Sequence, residues 1–315
     1  MTISVIIPVY NASAFLKKAV NSALQFEEVK EILLLEDCST DDSLEICRKL
    51  AEENTKIKLF QHPDKGNHGA GASRNLGLSK ASQDFISFLD ADDYYLPNRF
   101  KAENELFKND KIEGIFGAIG TEFLSEKGKK EFEAKFKNTT LTTVNHPAEG
   151  KEVFDGLMGI DKSFGHFFHL NGLTVRTESM RANNLKFNEN LRMHQDSDFI
   201  IKLSYHCYLK SGIIDKAIAI RCVHDDNRIT KIKLYSSTYF KNMFLLLESR
   251  YLWSKNVKDL DPKIKKLIKL HYLSYKIANK KGISKYVNFV LYCITNPKLI
   301  KTSHRFVALK KQYDY

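Results

Sequence analysis

The chain has 315 residues, 43% of them apolar and 28% charged, and it carries 49 Lys and Arg against 38 Asp and Glu, a net charge of +11. Such a composition gives a soluble globular protein with at least one full core and room for two domains. Its five cysteines, Cys38, Cys47, Cys207, Cys222 and Cys293, show no C-x-x-C spacing, which argues against a zinc knuckle, a redox pair or a disulfide framework and leaves reduced, structural thiols.

The opening MTISVIIPVY has neither a basic leader nor a long apolar stretch, so it reads as a buried strand and not as a secretion signal, with the cytoplasm as the expected compartment. The turn YNAS follows, then AFLKKAVNSAL with apolar residues at helical spacing. The unit recurs as EILLLED before STDDSLEICRKLAEEN, IKLFQH before GAGASRNLGLSKA, and DFISFLD before PNRFKAENELFKN. Four successive strand-helix units predict a doubly wound, mostly parallel α/β sheet with helices on both faces. Ligands of such sheets bind in the crevice outside the carboxyl ends of the strands. Those ends hold Pro8, Val9 and Tyr10, then Glu36 and Asp37, then His62, then Asp90, Ala91 and Asp92.

After Asn109 the alternation fades. EGIFGAIGTEFLSEKGKKEFEAKF reads as one more strand and a charged hairpin, followed by a Thr/Asn-rich loop. GKEVFDGLMG reads as a short helix, LNGLTVR as a strand, TESMRANN as a helix start, SDFIIKLSYHCYL as a helix and GIIDKAIAIRCV as a strand. From about Ile232 onward lysines alternate with aromatic and aliphatic residues at helical spacing, in helices too short to span a bilayer. The basicity sits there: residues 231–315 hold 19 Lys and Arg against 4 Asp and Glu, net +15, while residues 1–230 hold 30 against 34, net −4.

The segment FLDADD places Asp90, Asp92 and Asp93 within four positions behind an apolar run. Carboxylates crowded at a strand end repel one another, so such a group faces water, binds a cation or carries a proton. A divalent metal meets these constraints, and Mg²⁺-type sites use one or two carboxylates with substrate phosphates and water. The plain alternative is an acidic helix start, with Asp93 capping the helix of PNRF.

Four segments, SVIIPVYNASAFL, LLLEDCSTDDS, GAGASRNLGLSKAS and FISFLDADDYYLPNRF, resemble in order and spacing the first half of the family 2 glycosyltransferases, inverting enzymes of the GT-A fold that use nucleotide sugars. The resemblance covers residues 3–110 and continues weakly to about residue 230. It implies residues 1–230 as a GT-A domain, with a nucleotide-sugar half (1–110) and an acceptor half (111–230), and residues 231–315 as a helical basic C-terminal region. It puts Pro8, Val9 and Tyr10 against the base and ribose, with the aromatic ring suited to stacking on uracil. Asp37 falls on the second acid of the family's Asp-Asp-Gly-Ser, which contacts the nucleoside; Glu36 replaces the first acid and Cys38 the glycine. Arg74 and Asn75 match an Ala-Arg-Asn, with Ser73 in place of the alanine, and the arginine would contact the ribose or diphosphate side. Taken alone, Arg74 reads sooner as a surface helix residue paired with an acid, and the motif context reverses that reading. Asp90 and Ala91 fall on the nucleotide side, and Asp92 on the Mn²⁺ or Mg²⁺ that neutralises the leaving diphosphate.

Inverting transfer passes through an oxocarbenium-like state and needs a base for the acceptor hydroxyl. In LRMHQDSDFIIKL the resemblance makes Asp196 that base, with Gln195 departing from the family's Glu-Asp and Asp198 second; capping of the helix is the other reading of the pair. His224, in RCVHDDNRIT, matches a histidine near the metal, and Arg228 is a further diphosphate candidate. His166, Phe167, Phe168 and His169 are candidates for the acceptor side, although core packing explains the phenylalanines equally well.

The donor implied is a UDP-sugar and the acceptor a glycan or a lipid-linked glycan, in bacterial surface-polysaccharide synthesis. The basic tail reads either as the solvated face of packed helices or as a peripheral anchor on the anionic inner face of the plasma membrane, where each cation contributes about 1 kcal/mol. Three rival readings stand beside this one. A nucleotidyltransferase making nucleotide sugars would show a Gly-rich, basic loop where this chain has YNASAFL. A phosphatase would carry its Asp-x-Asp after the first strand. For a non-enzymatic nucleic-acid or anionic-surface binder the basic region fits, but the acidic crevice would repel phosphates unless a metal sits there, and no nucleic-acid partner is expected.

Overall fold

A computed structural model describes residues 1–136, 141–165, 167–225 and 232–313. The chain divides into two compact units, Met1–Glu189 with Phe199–Asp226, and Asn190–Asp198 with Asn227–Tyr315.

In the first unit β1 (Ile3–Val9), β2 (Val29–Glu36), β3 (Ile57–Gln61) and β4 (Phe85–Phe88) are joined by helices α1 (Leu16–Leu24), α2 (Ser43–Glu53) and α3 (Ala70–Lys80). Six of the seven residues of β1 are buried, as expected of a strand covered on both faces. Its outer layers are amphipathic: α1 buries Leu16, Ala19, Val20 and Ala23, one face at a spacing of three and four. Later strands extend this sheet: β6 (Gly114–Phe116), β9 (Leu173–Arg176) and β10 (Leu209–Ser211). The seven-stranded order is β10-β6-β9-β4-β1-β2-β3, parallel throughout except that β9 runs antiparallel to both β4 and β6. The mostly parallel, helix-covered sheet expected from the alternation is therefore present. A second sheet combines β5 (Tyr94–Tyr95), β7 (Ile119–Phe123), β8 (Leu141–Thr142) and β11 (Ala219–Val223) in the order β5-β11-β7-β8.

Four local readings fail. The segment expected to be one strand and a charged hairpin forms β6, β7 and a helix, α5 (Glu126–Phe136), which begins where the Ser125 hydroxyl accepts from the Gly128 amide at 2.9 Å. That serine cap starts a helix where a hairpin would have needed a two-residue turn. The strand expected over GIIDKAIAIRCV shrinks to β11, and Leu209, read as helix, opens β10 instead. Asp93 does not cap the helix after it: α4 (Lys101–Leu106) starts eight residues later, with Phe100 at its cap position. Two short helices, α6 (Lys151–Leu157) and α7 (Thr177–Ala182), follow, and α8 (Gln195–His206) begins in the second unit and continues into the first.

The second unit is helical: α9 (Ser237–Asn256), α10 (Pro262–Ala278), α11 (Gly282–Thr295) and α12 (Thr302–Leu309). Its core gathers Leu247, Leu270, Leu273, Ile277, Leu299 and Ala308. Ser236 and Asp261 cap α9 and α10 by accepting from the amides of Tyr239 (3.1 Å) and Lys263 (2.7 Å), with Pro262 in the first turn. Among the described residues no helix is long and apolar enough to cross a membrane.

Candidate functional site

Parallel pairing of β1 with β2 and with β4 brings three strand ends side by side. The chain leaves β1 through half-buried Pro8 and buried Val9, and Tyr10 emerges 40% exposed. The loop beyond is laced to the loop after β2. The amides of Asn11, Ala12 and Ser13 donate to Ser39 Oγ (3.1 Å), Ser43 Oγ (2.9 Å) and Asp41 Oδ2 (3.0 Å), and the Thr40 amide donates to Asn11 Oδ1 at 2.8 Å.

Both acids that end β2 are buried and tie loops. Glu36 accepts from the Ser39 amide and from Gln61 Nε2, each at 2.6 Å. Asp37 accepts from the amides of His68 and Gly69, each at 2.7 Å, and so fixes the turn that enters α3.

On α3, Arg74 is buried and its Nη2 donates to Asp90 Oδ1 at 2.5 Å, with the guanidinium 5.5 Å from the Phe187 ring. Its Nε–H is buried and has no hydrogen-bond partner among the described residues. Desolvation pulls the Asp90 carboxyl up; Arg74, with His169 and Arg221 beyond it, outweighs this and holds it below the ordinary carboxylate value. Asn75, next along, clamps the segment at Phe187 through the Phe187 amide (2.8 Å) and carbonyl (2.9 Å).

Asp90, Ala91, Asp92 and Asp93 lie on one loop and do different things. Asp93 is buried and accepts from the Cys222 amide (2.8 Å) and Asn171 Nδ2 (2.5 Å). Burial, then the charges of Asp92 and Asp90, push its carboxyl well above the ordinary value, against the opposing Cys222 amide and Arg221. Asp92 stays 31% exposed, and its Oδ2 lies 3.2 Å from His224 Nε2. The His224 ring sits 4.7 Å from that of Phe15, which fixes its plane.

The structure thus gathers Arg74, Asp90, Ala91, Asp92 and His224 around one loop, with Pro8, Val9, Tyr10 and Asp37 at the neighbouring strand ends. Among the described residues no group of three His, Cys, Asp or Glu side chains is placed to hold a metal ion. Asp92 and His224 are a partly exposed carboxylate-imidazole pair, which fits an ion that takes its remaining ligands from phosphate and water.

Asp196 and Asp198 belong to the second unit. Asp196 is half-buried at the start of α8, whereas Asp198 is buried and accepts from Ser249 Oγ at 2.9 Å. Arg250 faces both: its Nη2 donates to the Ser197 carbonyl and hydroxyl, each at 3.2 Å, and burial, opposed by Asp198 and Asp196, brings it down to about 10. His166 and Arg228 lie outside the described residues. Phe168 is core, stacked on Phe116 at 4.0 Å, and His169 accepts from the Asn171 amide at 3.3 Å.

Two residues that sequence reasoning passed over hold the acidic loop in shape. Asn171 is buried, accepts from the Asp90 amide at 3.1 Å and donates to Asp93, so it spans the loop's two ends. Arg99, fully buried, donates to the Asn171 carbonyl (2.9 Å), Ser87 Oγ (2.7 Å) and Glu103 Oε1 (2.5 Å). The only trace of them in the sequence is an arginine within PNRF and an Asn-Gly before a strand.

Comparison with known proteins bears on the family and the fold. The family described as Glycosyl transferase family 2 matches residues 4–164. An uncharacterized glycosyltransferase of Haemophilus influenzae is 40% identical over 102 residues, 32% of this chain and 40% of that protein. The GalNAc(5)-diNAcBac-PP-undecaprenol beta-1,3-glucosyltransferase of Campylobacter jejuni is 28% identical over 258 residues, 76% of this chain and 80% of that protein. Among solved structures, residues 1–349 of S. aureus TarS in complex with UDP-GlcNAc superpose with a TM-score of 0.64 at 18% identity, covering 98% of this chain and 84% of that one. Against several of its curated relatives the chain spans less than half of their length.

Proposed function

Because this chain belongs to glycosyltransferase family 2 and has the GT-A fold, we propose that it moves a sugar from a nucleoside diphosphate sugar, in the first place a UDP-sugar, to a hydroxyl of a glycan or lipid-linked acceptor, with inversion, in cell-surface polysaccharide synthesis. The observation that carries this reading is the meeting of a buried arginine, Arg74, with the split acidic loop at the strand ends. Asp90 holds the buried guanidinium in place as a fixed cation beside the strand ends, where a ribose or diphosphate would lie. Tyr10 offers an exposed ring for the base, and Pro8, Val9, Asp37 and Ala91 are assigned to the nucleotide side as the residues that shape the strand ends beneath it, Val9, Asp37 and Ala91 being buried.

Asp92 and His224 would hold Mn²⁺ or Mg²⁺. When bound, the ion neutralises charge on the leaving diphosphate. On the acceptor side Asp196 is the base that takes the hydroxyl proton, so that the attacking oxygen gains charge as the glycosidic bond to the diphosphate lengthens. UDP-GlcNAc in the TarS complex and the undecaprenol-linked glycan in the name of the Campylobacter relative support a UDP-sugar donor and a lipid-linked acceptor.

The test is calorimetry of UDP, GDP, CMP and ATP, each with Mn²⁺ and with EDTA. UDP binding that needs Mn²⁺ is expected. Tight ATP binding in place of UDP, or no nucleotide binding at all, overturns the proposal.

A further inference from the structure

We propose that the helical second unit docks on an anionic lipid bilayer, with α11 lying in the interface and a four-lysine cavity beside its end receiving lipid phosphates. α11 is apolar on two sides. Phe289, Tyr292 and Cys293 turn inward onto the core of the unit. On the outer side Ile283 (81% exposed), Tyr286, Val287, Val290 (60%), Leu291 and Ile294 (71%) face solvent. At 100° per residue these six cover an arc of roughly 140°, and no charge interrupts it. The one charged residue of the helix, Lys285, is buried and donates to the Lys310 carbonyl at 2.5 Å. Exposed Ile300 and Phe306 add to the apolar surface of the unit. A contiguous exposed stripe of this kind marks an interaction surface.

Charge selects the occupant. Exposed Lys280, Lys281, Lys298, Lys301 and Arg305 flank α11 in sequence. A cavity of about 460 Å³ is walled by Lys255, Lys265, Lys266 and Lys269 and closed by Thr295 and Asn296, the residues directly after Ile294. Among the described residues none of these four lysines makes an ion pair. A second copy would bring one region of net +15 against another. Nucleic acid would match the cations and gain nothing from the aliphatic stripe. An anionic bilayer answers both features at once: acyl chains for the stripe and phosphates for the cavity.

The test uses the full chain in vesicle flotation, with phosphatidylcholine alone and with phosphatidylglycerol added. Wild type is expected to float with the anionic vesicles and to be released by salt. Ile283→Ser, Val290→Ser and Ile294→Ser together are expected to weaken this about tenfold or more, with an unchanged melting temperature because all three side chains are exposed. Lys255→Gln, Lys266→Gln and Lys269→Gln together are expected to remove the preference for phosphatidylglycerol. Failure of wild type to bind anionic vesicles, or equal flotation of the serine variant, overturns the proposal. So does a wild-type dimer that the serine variant turns to monomer without any vesicle binding, which would make the stripe an interface between copies, and so does binding of duplex DNA in preference to vesicles.

Discussion

At Cys38 the chain turns with φ +62°, in the left-handed region where Cβ crowds the following carbonyl. The family's glycine belongs at such a position, and the two substitutions that probe it oppose different terms. Cys38→Gly relieves about 1 kcal/mol of strain but gives the unfolded chain comparable freedom, so urea unfolding is expected to move by less than about 1 kcal/mol. Cys38→Val, with a branched Cβ, is expected to lose about 2 kcal/mol. Asp93 is the second residue whose chemistry its motif hid. Its carboxyl is raised by burial and by Asp92 and Asp90, so the folded chain binds that proton more tightly than the unfolded chain does. The stabilisation is complete below the ordinary carboxylate value and is lost as pH rises through the folded one. Asp93→Asn cannot titrate, so the stability advantage of wild type over this variant is expected to shrink as pH rises above that ordinary value, as read by denaturant unfolding across pH. Asp90 is shifted in the opposite direction and is common to both proteins, so the difference reads Asp93 together with its coupling to Asp92 and Asp90. From sequence, Asp93 was indistinguishable from a helix cap, because what decides its role is contact with Cys222 and Asn171, 129 and 78 residues away.

At the scale of elements, α3 is positioned by a close approach. A Cβ built on Gly77 would lie 2.6 Å from Ile6 Cγ2, so the helix that carries Arg74 rests directly on β1. Gly77→Ala is therefore expected to cost about 1–3 kcal/mol and, by lifting α3, to weaken nucleotide binding as well, whereas the same change at Gly159, where φ is +70° and no atom lies within 4 Å, acts through backbone strain alone. Denaturation and calorimetry on the two variants separate these effects. The first four strands and three helices were legible because each is a local apolar period bounded by its own turn. The antiparallel β9 was readable as a strand but not as the neighbour of β4, since its place between β4 and β6 is set by tertiary pairing. The same limit hid Asn171 and Arg99: each is an unremarkable residue in sequence, made important by hydrogen bonds to segments distant along the chain. The charged stretch of α5 misled for a different reason, because its serine cap is a helix signal that composition alone does not carry.

For the molecule as a whole, the proposed metal ligand and the proposed base fall in different units, Asp92 in the first and Asp196 in the second, so their substitutions should fail differently. Asp92→Asn removes a carboxylate from the Asp92–His224 pair and is expected to abolish the Mn²⁺ dependence of UDP binding. Asp196→Asn leaves that pair intact, so donor binding is expected to persist while turnover falls about 10²–10⁴-fold, the range typical of a lost general base. Asp198 provides the contrast within the same helix turn. It is buried, accepts from Ser249 Oγ and faces Arg250, so Asp198→Asn strips a charge from a guanidinium that burial has already brought down to about 10. Its expected signature is a loss of about 3 kcal/mol in stability, with donor binding kept. Calorimetry, single-turnover transfer and unfolding on the three variants give three distinct patterns. If Asp196→Asn retained turnover while Asp198→Asn lost it without loss of stability, the base assignment would pass from the half-buried carboxylate to the buried one, and the Ser249 bond would become part of the acceptor site.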